Sequence, residues 1–474
     1  MERYVESMKL NNKVLFLNLP LFHEVLEHHK KAFSIHNLDS IIACGHEAGV
    51  CELNPYGFSY TCTHCKKMAT KFSNYVGAPI HFVEFNDARV VDESSYYEIA
   101  SNYTLSLYRD ENINERGDVN RYKFKLDHYC QKLETLLVDV VDKFDIDSLY
   151  FFNSRFPSGQ SAKNACKIEK IDYITYDCFA LTRIIFSKNE SVLNPENLAM
   201  GVDEELGGVD RIKLLEFGDT YLNAKLENKF IAYDVFTDRQ KINLLPKGLP
   251  KQYICFFTSS EDEMIYFGSD LDFPMIDQFQ FITELALIII PEIHIVVRIH
   301  PNQESSYLEK KFLTEFDSST NITVVSGSSS VSTYTLMRKS SLNVSFGSST
   351  AIESTLMRVP AILVGRSIYD RTLDITQIDT VIDLTEIINN QLDLQKISDS
   401  QYLLACKWAA YISGHFAAVE YRSDRENSFF LHLDLSDKLE RISIRLLRIL
   451  SYPGIFLARK ILIKYQSYVR KFLE

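Results

Sequence analysis

The residues best suited to bind an anion form a short hydroxyl-rich turn in the last third of the chain. Residues 344–353 read VSFGSSTAIE, so an apolar run leads through Gly-Ser-Ser-Thr into a helical pattern. Such a turn offers backbone N–H groups, hydroxyls and the positive end of a helix to a phosphate. Glu353, one turn further on, could accept hydrogen bonds from ribose hydroxyls. The alternative is an ordinary capped helix with a Thr350-x-x-Glu353 capping box.

Three more polar clusters lie in the same part of the chain, either at the end of an apolar run or at the start of a predicted helix. Arg298 and His300 end one run, within RIHPN, and a fixed guanidinium beside an imidazole suits a diphosphate or a leaving group. Residues 332–334 open a helix, and Tyr369 follows another run. A histidine at the end of a strand can also be a hydrogen-bonded structural residue. Because the carboxyl ends of parallel strands share one edge of a sheet, we expect these clusters to lie close together.

Four cysteines fall within 22 residues of the first half, with two histidines among them. A C-x2-C pair and two further thiolates within loop distance can form a tetrahedral zinc site. We therefore predict a structural zinc site in the loop 44–65, whereas catalysis is expected to need no cofactor. Four small buried thiols packed around a loop are the alternative. The candidate zinc ligands are Cys44, Cys51, Cys62 and Cys65.

Three polar residues of the first half follow apolar runs. His23 and Glu47 are candidate bases after the first two runs. His23 and His28 are five residues apart, whereas two zinc ligands on one helix face need a spacing of four, so no metalloprotease helix is predicted. Arg155 ends the run 148–153. It could point into a ligand cleft, or it could pair with an acidic neighbour.

Short apolar runs alternate with longer amphipathic stretches throughout the chain. This alternation predicts parallel sheets with helices on both faces. Residues 238–251 contain Pro246, Gly248 and Pro250 and are the best candidate for a linker. The predicted strands are residues 13–19, 40–43, 148–153, 253–258, 294–300, 322–325, 342–346 and 360–364, and the clearest predicted helices are residues 121–144 and 275–290.

Length and composition are typical of a globular protein of two or three domains. The 474 residues are 46% hydrophobic and 24% charged, with a formal net charge of −12. That acidity argues against a nucleic-acid-binding surface. Neither a signal peptide nor an apolar run of about 20 residues is apparent, and the nine cysteines are an odd number in a long chain. We therefore expect a cytoplasmic protein without a disulfide framework.

The acidic average hides a basic tail. Residues 438–474 contain nine Lys or Arg and two Glu, a net +7, so residues 1–437 carry −19. Basic residues recur there at helical spacing among apolar ones, which favours contact with an anionic membrane surface. A closing helix with a solvated basic face is the alternative.

The segments RIHPN, VSTYTLM and SFGSSTAIESTLMRVPAILVGRSIYD resemble bacterial capsule and surface-polysaccharide biosynthesis proteins of the two-domain GT-B glycosyltransferase type. The resemblance covers about residues 250–370 and extends more weakly to SSEDE at 259–263 and FNSR at 152–155. It departs from the family at Arg358, where many relatives carry glycine. The resemblance implies that the second half binds a sugar nucleotide, with Ser348–Thr350 and Glu353 holding phosphate and ribose, and with Arg298 and His300 facing the diphosphate.

The sequence and this resemblance together predict an α/β fold of two Rossmann-like domains (GT-B) and a C-terminal helical tail. The domains are 1–237 on the acceptor side, 252–427 for the nucleotide sugar, and the tail 428–474. The expected activity is transfer of a sugar from a nucleotide-sugar donor to a capsular or surface polysaccharide acceptor. The acceptor is expected to be lipid-linked, and the protein is expected to act at the inner face of the membrane. A nucleotide-sugar epimerase, a polyol-phosphate transferase and a non-catalytic assembly or export component are the alternatives. The candidate catalytic residues are Arg298, His300 and Glu47, and the candidate donor-binding residues are Ser348, Ser349, Thr350, Glu353, Tyr369, Ser259, Glu263 and Arg155.

Overall fold

The computed structural model of the chain describes residues 13–20, 23–47, 49–85, 96–108, 117–180, 183–227, 239–260, 271, 273–274, 276–290, 292–389 and 396–416. These residues form two compact units: the first ends at Tyr176 and the second begins at Asp177. Glu263 and the basic tail 428–474 lie outside the described residues.

The strands of the described residues are short and largely buried. They are β1 (Lys13–Leu17), β2 (Ser40–Cys44), β3 (Ile80–Val83), β4 (Ser148–Phe152), β5 (Asp172–Ala180), β6 (Arg183–Lys188), β7 (Ile254–Phe257), β8 (Ile295–Arg298), β9 (Ile322–Val325), β10 (Leu342–Ser345), β11 (Ala361–Val364) and β12 (Thr376–Ile378).

Helices connect most of these strands, and a 3₁₀ turn at Pro301–Gln303 follows β8. Within the described part of the chain, no helix is both long enough and apolar enough to cross a bilayer. The helices are α1 (His23–His36), α2 (Ser59–Val76), α3 (Tyr97–Tyr108), α4 (Gly117–Lys143), α5 (Pro157–Glu169), α6 (Pro195–Leu206), α7 (Arg211–Leu226), α8 (Gln278–Ile288), α9 (Tyr307–Glu315), α10 (Thr333–Lys339), α11 (Thr350–Leu356), α12 (Val381–Asn389) and α13 (Asp399–Ser413).

The strands form two six-stranded sheets with the same connectivity. The first has the order β3-β2-β1-β4-β5-β6 and the second the order β12-β11-β10-β7-β8-β9. From β3 to β5 the first sheet is parallel, and so is the whole second sheet. Both orders are that of a Rossmann sheet, in which the chain reverses direction across the sheet at one switch point. The switch lies between β1 and β4 in the first sheet and between β7 and β10 in the second.

This topology confirms the predicted α/β fold with two Rossmann-like units, which is the composition of the GT-B fold. All eight strands predicted from apolar runs are present, each within two residues of its expected ends. No apolar run in the sequence predicted β3, β5, β6 or β12. Of these, β3 and β12 are only partly buried, so their sequences do not form the continuous apolar runs that mark central strands.

Apolar clusters hold the helices of the second unit, and two of them matter for the position of the turn 347–350. One packs α8 and α9 against the sheet through residues such as Phe281, Phe312 and Val344. The other joins α6, α7, α11 and α13 and includes Tyr221, Ile352 and Trp408. Because α7 and α11 share the second cluster, residues about 130 positions apart in the chain become neighbours beside the turn 347–350.

The turn that precedes β11 keeps a left-handed residue even though glycine is absent. Arg358 has a φ of 58°, the conformation that glycine adopts most easily. Its guanidinium lies 4.2 Å from the centre of the Tyr402 ring and 3.1 Å from Asp399. Arg358 therefore adopts the left-handed conformation that this turn requires and adds a contact with α13.

Candidate functional site

The switch point of the second sheet brings together polar residues from three neighbouring strands. Ser259 follows β7, and its hydroxyl donates a hydrogen bond to the carbonyl oxygen of Phe346, at the end of β10. The backbone N–H of His300, after β8, donates to the hydroxyl of Thr258 over 2.8 Å. Ser259 is fixed further by Gln278, whose amide oxygen accepts from its backbone N–H over 2.8 Å. The predicted residues Ser259 and His300 therefore lie at the same sheet edge as the turn 347–350.

Hydrogen bonds from neighbouring side chains hold the turn 347–350 in place. Gly347 adopts a φ of 70°, which favours glycine. The hydroxyl of Ser345 lies 3.0 Å from both the carbonyl oxygen of Ser348 and the hydroxyl of Thr350. The Tyr369 hydroxyl donates to the same carbonyl, and burial raises the pKa of that phenol above its ordinary value. Tyr369 therefore acts here as a neutral donor that supports the turn.

The structure corrects the capping-box alternative for this turn. Ser349, rather than Thr350, is the N-cap of α11, and its side chain makes no capping hydrogen bond. Thr350 is the first residue of the helix and Glu353 the fourth, so the two lie one position beyond the register that a capping box requires. The Ser349 side chain is exposed, while Ser348 and Thr350 are half-buried.

Glu353 is held by a residue that sequence reasoning missed. The ammonium of Lys225, in the last turn of α7, lies 2.7 Å from Glu353 Oε1, and both side chains are only 8% exposed. The two residues are 128 positions apart, and no motif links them. A lysine in the last turn of a helix is a common surface pattern, so the sequence carried no usable signal for this pair.

His300 has a defined hydrogen-bonding role for one of its ring nitrogens. The backbone N–H of Asn302 donates to His300 Nδ1 over 3.1 Å. Since Nδ1 accepts, the proton of the neutral imidazole resides on Nε2. The ring is half-buried at the N-cap of the 3₁₀ turn.

Arg298 is turned toward the β9 side of β8, away from the switch point. Its guanidinium donates from Nε to the Thr333 hydroxyl over 3.2 Å and from Nη1 to the carbonyl oxygen of Ser326. The side chain is buried, and this burial lowers its pKa to about 10. Arg298 thus links β8 to the loop after β9 and to α10, a contact that the sequence did not predict.

At the switch point of the first sheet, the side chain of Asn18, directly after β1, bridges to β4. Its amide nitrogen donates to the carbonyl oxygen of Phe152 over 2.8 Å, and its amide oxygen accepts from the Phe152 N–H over 3.1 Å. The buried His29 ring contacts the Asn18 carbonyl oxygen through Nε2, at 2.7 Å, and the Tyr176 hydroxyl through Nδ1. Burial lowers the pKa of His29 to about 4, so this ring is neutral at pH 7.

All four predicted zinc ligands line one cavity beside this switch point. The cavity has a volume of about 40 Å³, and its other lining residues are both apolar, such as Phe16 and Leu53, and polar, such as Asn18 and His46. Burial raises the pKa of Cys44 to about 12 and the pKa values of Cys51 and Cys65 well above their ordinary value. Asn54 donates to the sulfur of Cys62 over 3.3 Å.

The cysteines share a cavity but do not converge on one point. Among the residues that the structure describes, no three His, Cys, Asp or Glu side chains are arranged so that they could hold a metal ion. Zinc binding at Cys44, Cys51, Cys62 and Cys65 therefore stays a prediction, and no step of the proposed chemistry depends on it.

A buried carboxylate of the same cavity was not predicted. Glu52 is 1% exposed, and its Oε1 accepts a hydrogen bond from the backbone N–H of Ser158 over 2.9 Å, in the first turn of α5. A carboxylate is favoured at that end of a helix. Because Glu52 and Ser158 are 106 residues apart, local sequence patterns could not predict this contact.

The remaining candidates of the first half lie near the ends of β2 and β4. Glu47 follows β2 and is exposed, and the neighbouring His46 ring stacks on Phe85 at 4.4 Å. The backbone N–H of Arg155 donates to the Asn153 side chain over 2.9 Å, and its guanidinium lies 5.4 Å from the centre of the Phe156 ring. The side chain of His23 lies outside the part of the chain that can be described.

Comparison with known proteins gives structural likeness only. No family model and no curated protein matches the sequence. One similar solved structure is the β-Kdo 2,4-transferase KpsC of Thermosulfurimonas dismutans, with 12% identity over 55% of this chain and 79% of that one and a TM-score of 0.35.

Two other solved structures match over more of the chain. A UDP-GlcNAc 2-epimerase of Methanocaldococcus jannaschii has 10% identity over 85% of this chain and 99% of that one, with a TM-score of 0.31. A glycosyltransferase of Rickettsia africae has 12% identity over 90% and 99%, with a TM-score of 0.29. At these identities and scores the likenesses say nothing about the reaction.

Proposed function

We propose that this chain is a glycosyltransferase that moves a sugar from a nucleotide-sugar donor to a capsular or surface polysaccharide acceptor, lipid-linked. The observation that carries the proposal is the cluster at the switch point of the second sheet, where Ser259, His300 and the turn 347–350 lie at one sheet edge. In open α/β sheets, ligands bind at this point. The sequence resemblance of residues 250–370 to polysaccharide-synthesising proteins agrees with it.

The chemistry of such a transfer depends on the leaving group. When the anomeric C–O bond breaks, negative charge develops on the phosphate oxygen of the nucleotide, and donors already aimed at that oxygen lower the barrier. The turn 347–350 would supply hydroxyl and backbone N–H donors. His300, whose neutral ring carries its proton on Nε2, would supply another donor. Arg298 would act indirectly, because its Nε and Nη1 donate to Thr333 and Ser326.

The other predicted residues take supporting roles in this proposal. Glu353 would meet the ribose, and Tyr369 would keep the turn 347–350 in place. Glu47 would be the candidate base, and Arg155 would contribute to donor binding. The basic segment 438–474 would bring the protein to an anionic membrane surface, where lipid-linked acceptors reside.

A nucleotide-release assay with a panel of activated sugars and a lipid-linked acceptor tests the proposed activity. We expect release with at least one donor, and a loss of about 100-fold or more in His300→Ala, the range typical of a removed catalytic donor. His294→Ala is a matched control, because it removes a histidine just before the opposite end of β8. Equal losses in both variants would contradict a catalytic role for His300.

Product analysis separates the alternatives. A new glycoside supports the transferase, a free altered sugar indicates an epimerase, and a phosphodiester indicates a polyol-phosphate transferase. A folded protein that turns over no donor in the panel would be a non-catalytic component of polysaccharide assembly or export.

Liposome flotation tests the membrane role of the tail. Full-length protein is expected to float with anionic vesicles, and protein lacking residues 438–474 to remain at the bottom of the gradient. Equal soluble fractions would contradict the role.

A further inference from the structure

A groove of about 560 Å³ in the second unit runs along β6 and shares no residue with the cluster at the switch point of the second sheet. Residues 183–187, five in succession, line one side of it. Successive side chains of a strand point to opposite faces of the sheet, so a cavity over one face would contact only every second residue. Contact with all five residues indicates that the groove follows the backbone edge of β6.

β6 is an edge strand. It stands last in the order of the first sheet, and no described strand or isolated bridge pairs with its outer side. The backbone groups of alternate residues in a strand face the same side. Within the described part of the chain, the N–H and C=O groups of Arg183, Ile185 and Ser187 form no hydrogen bond outside the sheet. Such an edge can accept a further strand.

One face of α6 forms the other wall of the groove. Asn197, Gly201 and Glu204 line it and are spaced by four and three residues, which places them on the same side of this helix. The five residues of β6 extend over about 16 Å, enough to pair with a segment of four or five residues. A gap of this length between an edge strand and a helix fits a peptide that is bound as an added strand.

The charges around the groove favour a basic ligand. Among the described residues that line it, Arg183 is the only Lys or Arg, and its Nη2 lies 2.5 Å from Oε2 of Glu205. On the same helix Asp203 pairs with Lys407 at 3.7 Å, whereas no described cation pairs with the exposed Glu204. An anionic ligand would therefore meet an uncompensated carboxylate, and a Lys or Arg of the ligand would complement it.

We propose that the groove between β6 and α6 binds an extended segment of a partner protein as an added β-strand, with a Lys or Arg of that segment beside Glu204. The backbone of the segment pairs with Arg183, Ile185 and Ser187, and its alternate side chains enter the groove towards Leu198 on α6. Such binding does not depend on the sugar-transfer reaction.

A random heptapeptide library displayed on phage, selected on the immobilised full-length protein, supplies the probe. Enriched peptides are expected to alternate apolar residues and to carry Lys or Arg. The most enriched sequence is then synthesised and titrated by calorimetry.

N-methylation of every second amide of that peptide removes the hydrogen-bond donors from one of its two edges. One of the two alternate patterns is expected to weaken binding by about 10-fold or more, because it removes the donors that face β6. The other pattern should change the affinity by less than about 2-fold. This asymmetry is the signature of pairing at a single strand edge.

Two pairs of exposed positions provide matched variants. Met200→Trp narrows the groove and is expected to weaken peptide binding by about 10-fold or more, whereas Ile212→Trp, on α7, is the control. The two side chains are 56% and 64% exposed, so neither substitution disturbs the core. Glu204→Lys should select acidic peptides in place of basic ones, and Glu216→Lys, on α7 and also exposed, should leave the selection basic.

Failure to enrich any peptide above the level seen with Met200→Trp overturns the proposal, and so does equal weakening by both N-methylation patterns. A wild type that dimerises in analytical ultracentrifugation, while folded Met200→Trp stays monomeric, assigns the edge to a second copy of the chain and overturns binding of a partner peptide. Loss of sugar transfer alone would bear on the proposed function and not on this groove.

Discussion

The two sheets have the same strand order, yet their switch points carry different chemistry. In the first, the Asn18 side chain joins β1 to β4, and the adjoining cavity is lined by four thiols, apolar side chains and the buried carboxyl group of Glu52. In the second, the Ser259 side chain joins β7 to the end of β10, and the adjoining residues carry hydroxyls, an imidazole and a buried ion pair. Shared topology therefore fixes where a ligand can bind, and the loops that follow the strands fix what can bind.

The largest expected effect is on the reactivity of the thiols at the first switch point. A pKa of about 12 at Cys44, against an ordinary 9.0, lowers the thiolate fraction at pH 8 by about 1,000-fold. With a chelator present, iodoacetamide should therefore modify Cys44, Cys51 and Cys65 far more slowly in folded than in urea-unfolded protein, as followed by mass spectrometry. Comparable rates would show that the cavity is open and its thiols reactive.

The zinc content of the purified protein is a second test of the four cysteines at the first switch point. If the four cysteines bind zinc, about one equivalent should copurify, and substituting Cys65 by serine should remove it. Less than about half an equivalent would favour four buried thiols instead.

Glu353→Ala should have the largest effect at the second switch point. It leaves the Lys225 ammonium buried without its carboxylate, which typically costs about 3–5 kcal/mol of unfolding free energy. Urea unfolding measures this loss, and calorimetry should show strongly weakened nucleotide binding. Unchanged nucleotide affinity in the folded variant would remove Glu353 from the binding site.

Asn18→Ala should weaken the first unit by about 2–3 kcal/mol, because it leaves both the N–H and the carbonyl of the buried Phe152 without the side chain that pairs them. Urea unfolding is again the measurement. The exposed Asn74→Ala, on α2, is the control and should change stability by less than about 0.5 kcal/mol. Similar losses in the two variants would mean that Asn18 does not hold the switch point.

Tyr369→Phe should have the smallest effect. It removes one neutral donor to the Ser348 carbonyl, worth about 1 kcal/mol, and should raise the dissociation constant for nucleotide by less than about tenfold. A complete loss of binding would instead place the Tyr369 hydroxyl in contact with the ligand.

Sequence patterns predicted the fold well, and they predicted that the polar residues after the strands of the second sheet would lie at one edge, for a physical reason. Central parallel strands are buried on both faces and read as apolar runs, and the polar residues just after them must share one edge. Ser259, His300 and the turn 347–350 were found in this way. The partly buried strands β3 and β12 gave no such run.

The contacts that complete each site were beyond the reach of sequence patterns. Lys225 reaches Glu353 across 128 residues, and Glu52 reaches Ser158 across 106. Arg298 ends the expected strand, but the direction of its guanidinium depends on Ser326 and Thr333, in a different loop and helix. Local spacing cannot encode such pairs, because tertiary packing alone decides which helix ends meet.

The Lys225–Glu353 pair also has an evolutionary consequence. Loss of either charge alone leaves its partner buried and uncompensated, so drift at one position is constrained by the other. Among homologues, positions 225 and 353 should therefore change together, to another pair of opposite charges or to two neutral residues. Such linked substitutions would identify relatives that keep the same contact between α7 and α11 even where their overall identity has fallen too low to show kinship.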